Sequence, residues 1–350
     1  MAVTLKDVAR RAGTSAAAVS ATLNHRPGQS TRVGEETRKR IEIAAAELGY
    51  VLNPIGRSLA TGRTGVLGLM LPFQSSFVEH DPFLTNVMNG CLSEAVRQKY
   101  NVMLYTATSG EEGAGAATMV DSRVDGVILV IPPKDSPVLA DCRRRDLPVV
   151  SVLRDAEDDD EWVVNSSDYE GGRLATQHLI NLGHRRIGHI VGNEAVSTSR
   201  ARRQGYLDAI SEAGVDVDPV LVRDGDFSQK SGAKAMAELL SLRKPPTAVF
   251  CANDLSAHGA IQSAISMGRS VPNDIAVVGY DDTWFSTMTN PALTTVNMAT
   301  EEMGARAARL LISQIENRPT TERQPVLPVS LTIRVSCGAA QHEFPSTKKP

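Results

Sequence analysis

The sequence predicts an α/β protein in two parts: a small all-helical head, then two doubly wound lobes, each a parallel sheet covered by helices on both faces. Three observations predict this. In the first 50 residues the apolar side chains recur at helical spacing. From Gly65 onward short, nearly continuous apolar runs alternate with helical patterns. At 350 residues the chain is also too long for one ordinary core.

In the head, Thr4 precedes "LKDVARRA" with Asp7 three residues on, so a hydroxyl and a carboxylate can serve the free amides of a first helix. Leu5, Val8, Ala9 and Ala12 form its apolar face, and Gly13 allows the left-handed turn that ends it. Ser15 caps a second helix in which Val19 and Leu23 point inward, with Ala18 or Thr22 beside them. A third helix follows "VGEE", two acids at its positive end; Ile41, Ala44, Ala45 and Leu48 make its buried stripe and Gly49 stops it. Two short helices joined by a tight turn, closed by a third, make a helix-turn-helix unit.

The strands of the larger part are read in "VLGLMLP", "YNVMLYTA", "DGVILVIP", "LPVVSVL", "RRIGHIVG", "TAVFCAND" and "DIAVVGYDD". Helical patterns such as "NVMNGCLSEAVRQ", "EGGRLATQHLINLG" and "LSAHGAIQSAISMG" separate them, the order that gives doubly wound sheets. The acidic run "AEDDDE" reads as a solvated loop, and residues 338–350, polar and without a heptad, as a disordered tail.

Charge is distributed unevenly. Residues 1–64 hold ten Lys/Arg against five Asp/Glu, whereas the rest holds 27 against 35, within a net charge of −3. A basic head on an acidic body fits a polyanion-binding module attached to something that stays off the polyanion. Cys91, Cys142, Cys251 and Cys337 are too scattered for a zinc site, a redox pair or a disulfide frame, so no metal is expected. The chain shows no membrane span and no secretory signal, which makes the cytoplasm the expected location. Phosphate loop, nucleophile elbow and metal cluster are missing, and "GAGAAT" only approaches a dinucleotide fingerprint. No enzyme and no cofactor are therefore expected, and His184 and His189, flanking a strand, read as structural.

Taken together, "VTLKDVARRAGTSAAAVSATLN", "EETRKRIEIAAAELGYVLNPIGRSLATGRTG", "LGHRRIGHIVG", "PTAVFCANDLSAHGA" and "VPNDIAVVGYDDTWFSTMTNPALTTV" closely resemble the LacI/GalR family of bacterial transcription regulators, in order from about Val3 to Val335. The resemblance implies a DNA-binding head (1–52), a hinge helix (53–64), and an effector-binding domain (65–337) with a fold like that of periplasmic sugar-binding proteins. Its first lobe would span about 65–163 and 295–322, its second about 164–294 and 323–337. It also implies a homodimer on pseudo-palindromic double-stranded operator DNA, at the nucleoid, with a small-molecule effector that is a sugar or sugar derivative.

By position, the base-reading residues fall on Ala16, Ala17 and Ala21, which offer no hydrogen bond and can only fit closely or touch a thymine methyl. Ser15, Ser20 and Asn24 hold phosphates or the turn, with Thr4 beside them. "HRPGQSTRVG" is longer than the loop common in the family, and its Arg26 and Arg32 can reach phosphates or a base edge. In the hinge "NPIGRSLATGR", Asn53-Pro54 marks a boundary, and Ile55, Ser58, Leu59 and Gly62 share a face of a helix too short to stand alone in water. The resemblance makes Leu59 a wedge in the central minor-groove step and places Arg57 near the groove. Gly56 departs from the usual alanine and weakens the helix by about 0.5–1 kcal/mol.

For the effector pocket the resemblance implies Phe83, Arg202, Phe227, Asn253 and Asp281, with Asp254 in support: donors, acceptors and a ring face suited to a hydroxylated ligand. Leu153 replaces an aspartate that many relatives carry, and Val130 an asparagine, which leaves open a pocket more apolar on one side or one fitted to a deoxy or phosphorylated ligand. The function so implied is repression of a carbohydrate-utilisation operon, relieved by the effector. Two alternatives stay open: a corepressor such as a nucleobase that promotes DNA binding, and a sugar-binding protein without DNA function.

Overall fold

The computed structural model describes residues 3–23, 33–51, 56, 58, 62–72, 81–105, 121–320 and 322–339. They form two compact units, residues 1–66 with 122–125 and the remainder of the chain.

The first unit contains α1 (Leu5–Ala12), α2 (Ala16–Leu23) and α3 (Glu35–Glu47). At the start of α1 the Asp7 amide donates to Thr4 Oγ1 at 3.4 Å while the Thr4 amide donates to the Asp7 carboxylate at 3.0 Å. Two otherwise orphaned amides are thereby satisfied, and Gly13, at φ 64°, ends the helix in the left-handed region. Ser15 Oγ accepts from the Ala18 amide at 3.1 Å, capping α2. Val8, Ala9, Ala12, Val19, Ile41, Ala44 and Ala45 form the buried centre, flanked by Leu5, Ala18, Leu23 and Leu48. The core is small because the helices meet largely through alanines. Beyond α3, Gly56 and Ser58 have helical backbone and the Gly62 amide donates to the Ser58 carbonyl at 2.8 Å. Thr64 and Gly65 are then tied to one carboxylate, Asp125, by amide bonds of 2.6 and 2.8 Å and a hydroxyl bond of 2.9 Å.

The second unit holds two six-stranded sheets. The first takes β1 (Val66–Met70), β2 (Asn101–Tyr105), β3 (Gly126–Val130), β4 (Val149–Val152), β5 (Val163–Ser166) and β11 (Val326–Leu327), in the order β11-β5-β4-β3-β1-β2. The second takes β6 (Ile187–Ile190), β7 (Val222–Arg223), β8 (Ala248–Cys251), β9 (Ala276–Asp281), β10 (Thr294–Asn297) and β12 (Ser330–Thr332), in the order β12-β10-β9-β8-β6-β7. Pairing along β1-β3-β4-β5-β11 and along β7-β6-β8-β9-β10 is parallel; β12 is antiparallel to β10. Strands β3, β6, β8 and β9 are buried at every position, because helices cover both faces. Those helices are α4 (Pro82–Arg97), α5 (Pro137–Arg144) and α10 (Thr300–Ile315) on the first sheet, and α6 (Asp168–Asn181), α7 (Ser197–Glu212), α8 (Gln229–Leu240) and α9 (Asp254–Ser266) on the second.

Three segments cross between the lobes: Ser167 between β5 and α6, Met298-Ala299 between β10 and α10, and residues 328–329 between β11 and β12. This corrects the lobe limits expected from sequence. Residues 164–166 and 326–327 belong to the first sheet, and 295–297 to the second, because strand pairing holds β5 and β11 to β4 and holds β10 to β9. The acidic run is an exposed loop from Glu157 to Asp160, as expected, and only its last residue departs. Glu161 at its end is only 8% exposed and pairs with Arg143 and with Arg154, which Glu157 also reaches at 3.2 Å; Asp160 pairs with Arg323 at 2.5 Å. Gly338 and Ala339, expected in the tail, are still hydrogen-bonded to Val335 and Cys337; residues 340–350 lie outside the described residues.

The four cysteines are free and buried. His189 is stacked between Tyr206 and Phe250, at 5.0 and 4.7 Å between ring centroids, and burial drops its pKa to about 4, so it is neutral. Among the described residues no helix is long and apolar enough to cross a membrane.

Candidate functional site

On the head, the outward face of α2 presents Ala16, Ala17 and Ala21, all exposed, while Val19 goes to the core. The Thr4 hydroxyl donates to Asp7 at 2.6 Å and the Ser15 hydroxyl caps α2, so both hold the geometry of the two helices. Ser20 and Ser58 are half-buried. Asn24, Arg26, Arg32, Asn53, Arg57 and Leu59 lie outside the described residues.

In the two-lobed unit, parallel strands place their carboxyl ends toward the cleft between lobes, where ligands of such sheets bind. Backbone strain concentrates there. Ile131 after β3, Leu153 after β4, Phe227 after β7, and Asp281 and Asp282 at the end of β9 have φ of 48°, 55°, 69°, 109° and 50°. Each such residue costs on the order of 1–3 kcal/mol, which surrounding structure must offset.

Arg202 on α7 is the centre of the cluster and is buried. Its Nε donates to Asp168 Oδ1 at 2.7 Å and its Nη1 to the Ala252 carbonyl at 2.6 Å, while Nη2 lies 3.5 Å from Met298 Sδ. The guanidinium also stacks on Tyr280, 3.7 Å from the ring centroid. Of its five N–H groups, three are committed, and the spare Nη1 hydrogen is the one that can turn to Asp281 Oδ1, 3.7 Å away. Asp281 is buried, and among the described residues no hydrogen bond reaches its carboxylate. Burial raises its pKa well above the carboxylate range; Arg202 opposes this, and Asp254, Asp81 and Asp168 add to it.

Asn253 caps α9. Its Oδ1 accepts from the Ser256 amide at 3.0 Å and its Nδ2 donates to the Phe227 carbonyl at 3.0 Å, which fixes the strained Phe227 backbone. The Phe227 ring lies against Gly192, where an added Cβ would fall 2.1 Å from a ring carbon. The Gly192→Ala variant is therefore expected to push the ring aside with little loss of stability, since only the end of a side chain must move. Ligand affinity should fall about tenfold with the melting temperature unchanged within about 2 °C; unchanged affinity would show that the ring does not touch the ligand.

Asp254 is almost wholly buried and serves the fold. Its carboxylate accepts from Thr295 Oγ1 at 2.5 Å, from the Thr283 amide at 2.9 Å and from Thr283 Oγ1 at 3.1 Å, closing the turn after β9. Burial pushes its pKa up to about 7 against those hydrogen bonds. A carboxyl raised from the unfolded value of 3.8 is protonated in the folded chain while ionised in the unfolded one, so stability falls as pH rises toward 7. Asp254→Asn removes that loss. Its melting temperature relative to the parent is expected to rise by a few degrees between pH 5 and pH 8, and a pH-independent difference would refute the assignment.

Phe83, the second residue of α4 in the other lobe, is buried in the apolar core, its amide donating to the capping Asp81 at 2.9 Å. Asp81 is close enough for its charge to raise Asp281. The structure thus pairs Arg202 with Asp281 and Asn253 with Phe227, brings the two pairs together through the Ala252 carbonyl next to Asn253, and ties Asp254 to the turn after Asp281. Asp81, Asp168, Tyr280 and Met298 were not foreseen: an acid beginning a helix reads as a dipole partner, and Tyr280 and Met298 read as core. Leu153 and Val130 are both buried in the first lobe's core, and Arg154 is spent on Glu157 and Glu161.

Comparison with known proteins is consistent across the chain. The model for bacterial regulatory proteins of the lacI family matches residues 4–53, and that for the periplasmic binding protein-like domain matches residues 176–337. The HTH-type transcriptional regulator CelR of Thermobifida fusca is 36% identical over 336 residues, 95% of this chain and 98% of that protein. The probable HTH-type transcriptional repressor ExuR of Bacillus subtilis is 32% identical, covering 93% of this chain and 95% of its own. Among solved structures, a CelR–cellobiose complex superposes with a TM-score of 0.73 at 34% identity, over 95% of this chain and 99% of that one. A lac repressor dimer bound to operator and the anti-inducer ONPF superposes with a TM-score of 0.82 at 28% identity, over 96% and 99%.

Proposed function

The chain belongs to the lacI family of bacterial regulatory proteins, and from that membership we propose that it represses a carbohydrate-utilisation operon until a sugar-like effector enters the cleft between its lobes. It is a DNA-binding transcriptional regulator and not an enzyme. A homodimer on pseudo-palindromic operator DNA follows the lac repressor dimer, and a sugar effector follows the CelR–cellobiose complex. Its place of action is the nucleoid.

The observation that carries the effector reading is the Arg202–Asp281 pair, held 3.7 Å apart by protein contacts and flanked by Asn253 and Phe227. A fork with two uncommitted N–H groups, an acceptor without a hydrogen bond among the described residues and a ring face suit vicinal hydroxyls on a pyranose. In the proposed site Phe83 closes the opposite wall and Asp254 keeps the Asp281 turn in place. On the DNA side, Ala16, Ala17 and Ala21 read by close fit. Ser15, Ser20, Asn24, Arg26, Arg32 and Thr4 serve phosphates and the turn, while Asn53, Arg57, Ser58 and Leu59 form the minor-groove hinge.

The test is operator binding by the full-length protein, on a duplex selected from a random library, at fixed salt, with and without cellobiose, other neutral disaccharides and nucleobases. Release by a sugar supports the proposal. Tightening by a nucleobase would replace it with corepression, and no specific duplex at all would end it.

A further inference from the structure

Arg202 touches one of the three segments that connect the lobes and the residue that follows another. Its Nε is bonded to Asp168, the residue after the Ser167 crossover, and its Nη2 faces Met298, in the crossover after β10. Asp168 is the more telling partner, because its second oxygen accepts from Ser166 Oγ at 2.6 Å. Ser166 is the last residue of β5, within the first lobe's sheet. Next to it, the Ser167 amide donates to the Leu327 carbonyl of β11 at 3.0 Å, which ties this crossover to the third. A single carboxylate therefore joins the frame of one lobe to the guanidinium that faces the cleft from the other. All three groups are buried, so water cannot replace either bond.

We propose that Asp168 is the positioning residue that couples the cleft to the relative placement of the lobes, through the relay Ser166–Asp168–Arg202. The proposal rests on the reading of the cleft as the effector site. A rotation of the lobes displaces Ser166 relative to α7, and Asp168 passes that displacement to Arg202. By reciprocity, whatever draws Arg202 toward Asp281 pulls on the first lobe. An acid present merely to meet the dipole of α6 would need neither the Ser166 bond nor the Arg202 bond.

The experiment uses the full-length protein carrying Asp168→Asn, which keeps shape and removes charge, and separately Ser166→Ala, which leaves Arg202 and its carboxylate in place. Operator affinity is measured without any small molecule and again with cellobiose, alongside melting temperature. The expected result is a change of about fivefold or more in ligand-free operator affinity for Asp168→Asn, and a smaller change of the same sign for Ser166→Ala, with the folded state retained. Ligand-free affinity within about twofold of the parent in both variants would overturn the relay. Should Asp168→Asn fail to fold, Ser166→Ala decides alone by the same criterion. A parent protein indifferent to cellobiose counts against the sugar reading, while the ligand-free comparison still decides the relay.

Discussion

Arg202→Ala is expected to abolish the response to effector and to lower the melting temperature of the protein by roughly 10 °C. Removing one member of a buried ion pair costs about 3–5 kcal/mol, and each kcal/mol corresponds to about 2–4 °C in a domain of this size. The cost is large because Arg202 compensates two carboxylates, Asp168 at 2.7 Å and Asp281 at 3.7 Å, and also fills the space over Tyr280. Burial favours the neutral form of Asp281, which needs no cation beside it, so the deficit should shrink as pH is lowered. Melting curves from pH 5 to 8, with operator titrations at each, check both parts. A variant that melts with the parent, or that still releases DNA on effector binding, removes Arg202 from its central place.

Leu59→Ala is expected to weaken operator binding about a hundredfold while changing affinity for unrelated duplex by less than about threefold. A wedge that unstacks a base step is worth a few kcal/mol, and every 1.4 kcal/mol is tenfold. Non-specific affinity comes from phosphate contacts, which this change does not touch. The described hinge residues support a helical segment: Gly56 and Ser58 have helical backbone, and Gly62 closes a turn onto Ser58. Titrations on operator and scrambled duplex at the same salt decide the matter, and equal losses on both would contradict the wedge.

The head was legible because its determinants are local. The Thr4–Asp7 box, the left-handed Gly13 and the Ser15 cap each involve residues within three positions of one another, and all are present. The alternation of strands and helices was equally legible. Lobe membership was not, since whether residues 294–297 join one sheet or the other depends on pairing with β9 rather than on their own composition. Glu161 shows the same limit: within an acidic run it looks solvated, yet Arg143 and Arg154 bury it.

Sequence alone therefore determined the two-part architecture, the helix-turn-helix and the family resemblance, because these rest on spacing, capping and motifs written along the chain; the polar residues proposed for the cleft are what that resemblance implies. Only the tertiary structure decided how much of each polar group is left for a ligand. Asp168, Ala252, Met298 and Tyr280 come from separate segments and occupy most of Arg202, while Thr283 and Thr295 consume Asp254. Hydrogen-bonding capacity at a buried site is shared among whatever the fold brings there, and residues from separate segments of the chain carry no sign of one another until the chain has packed.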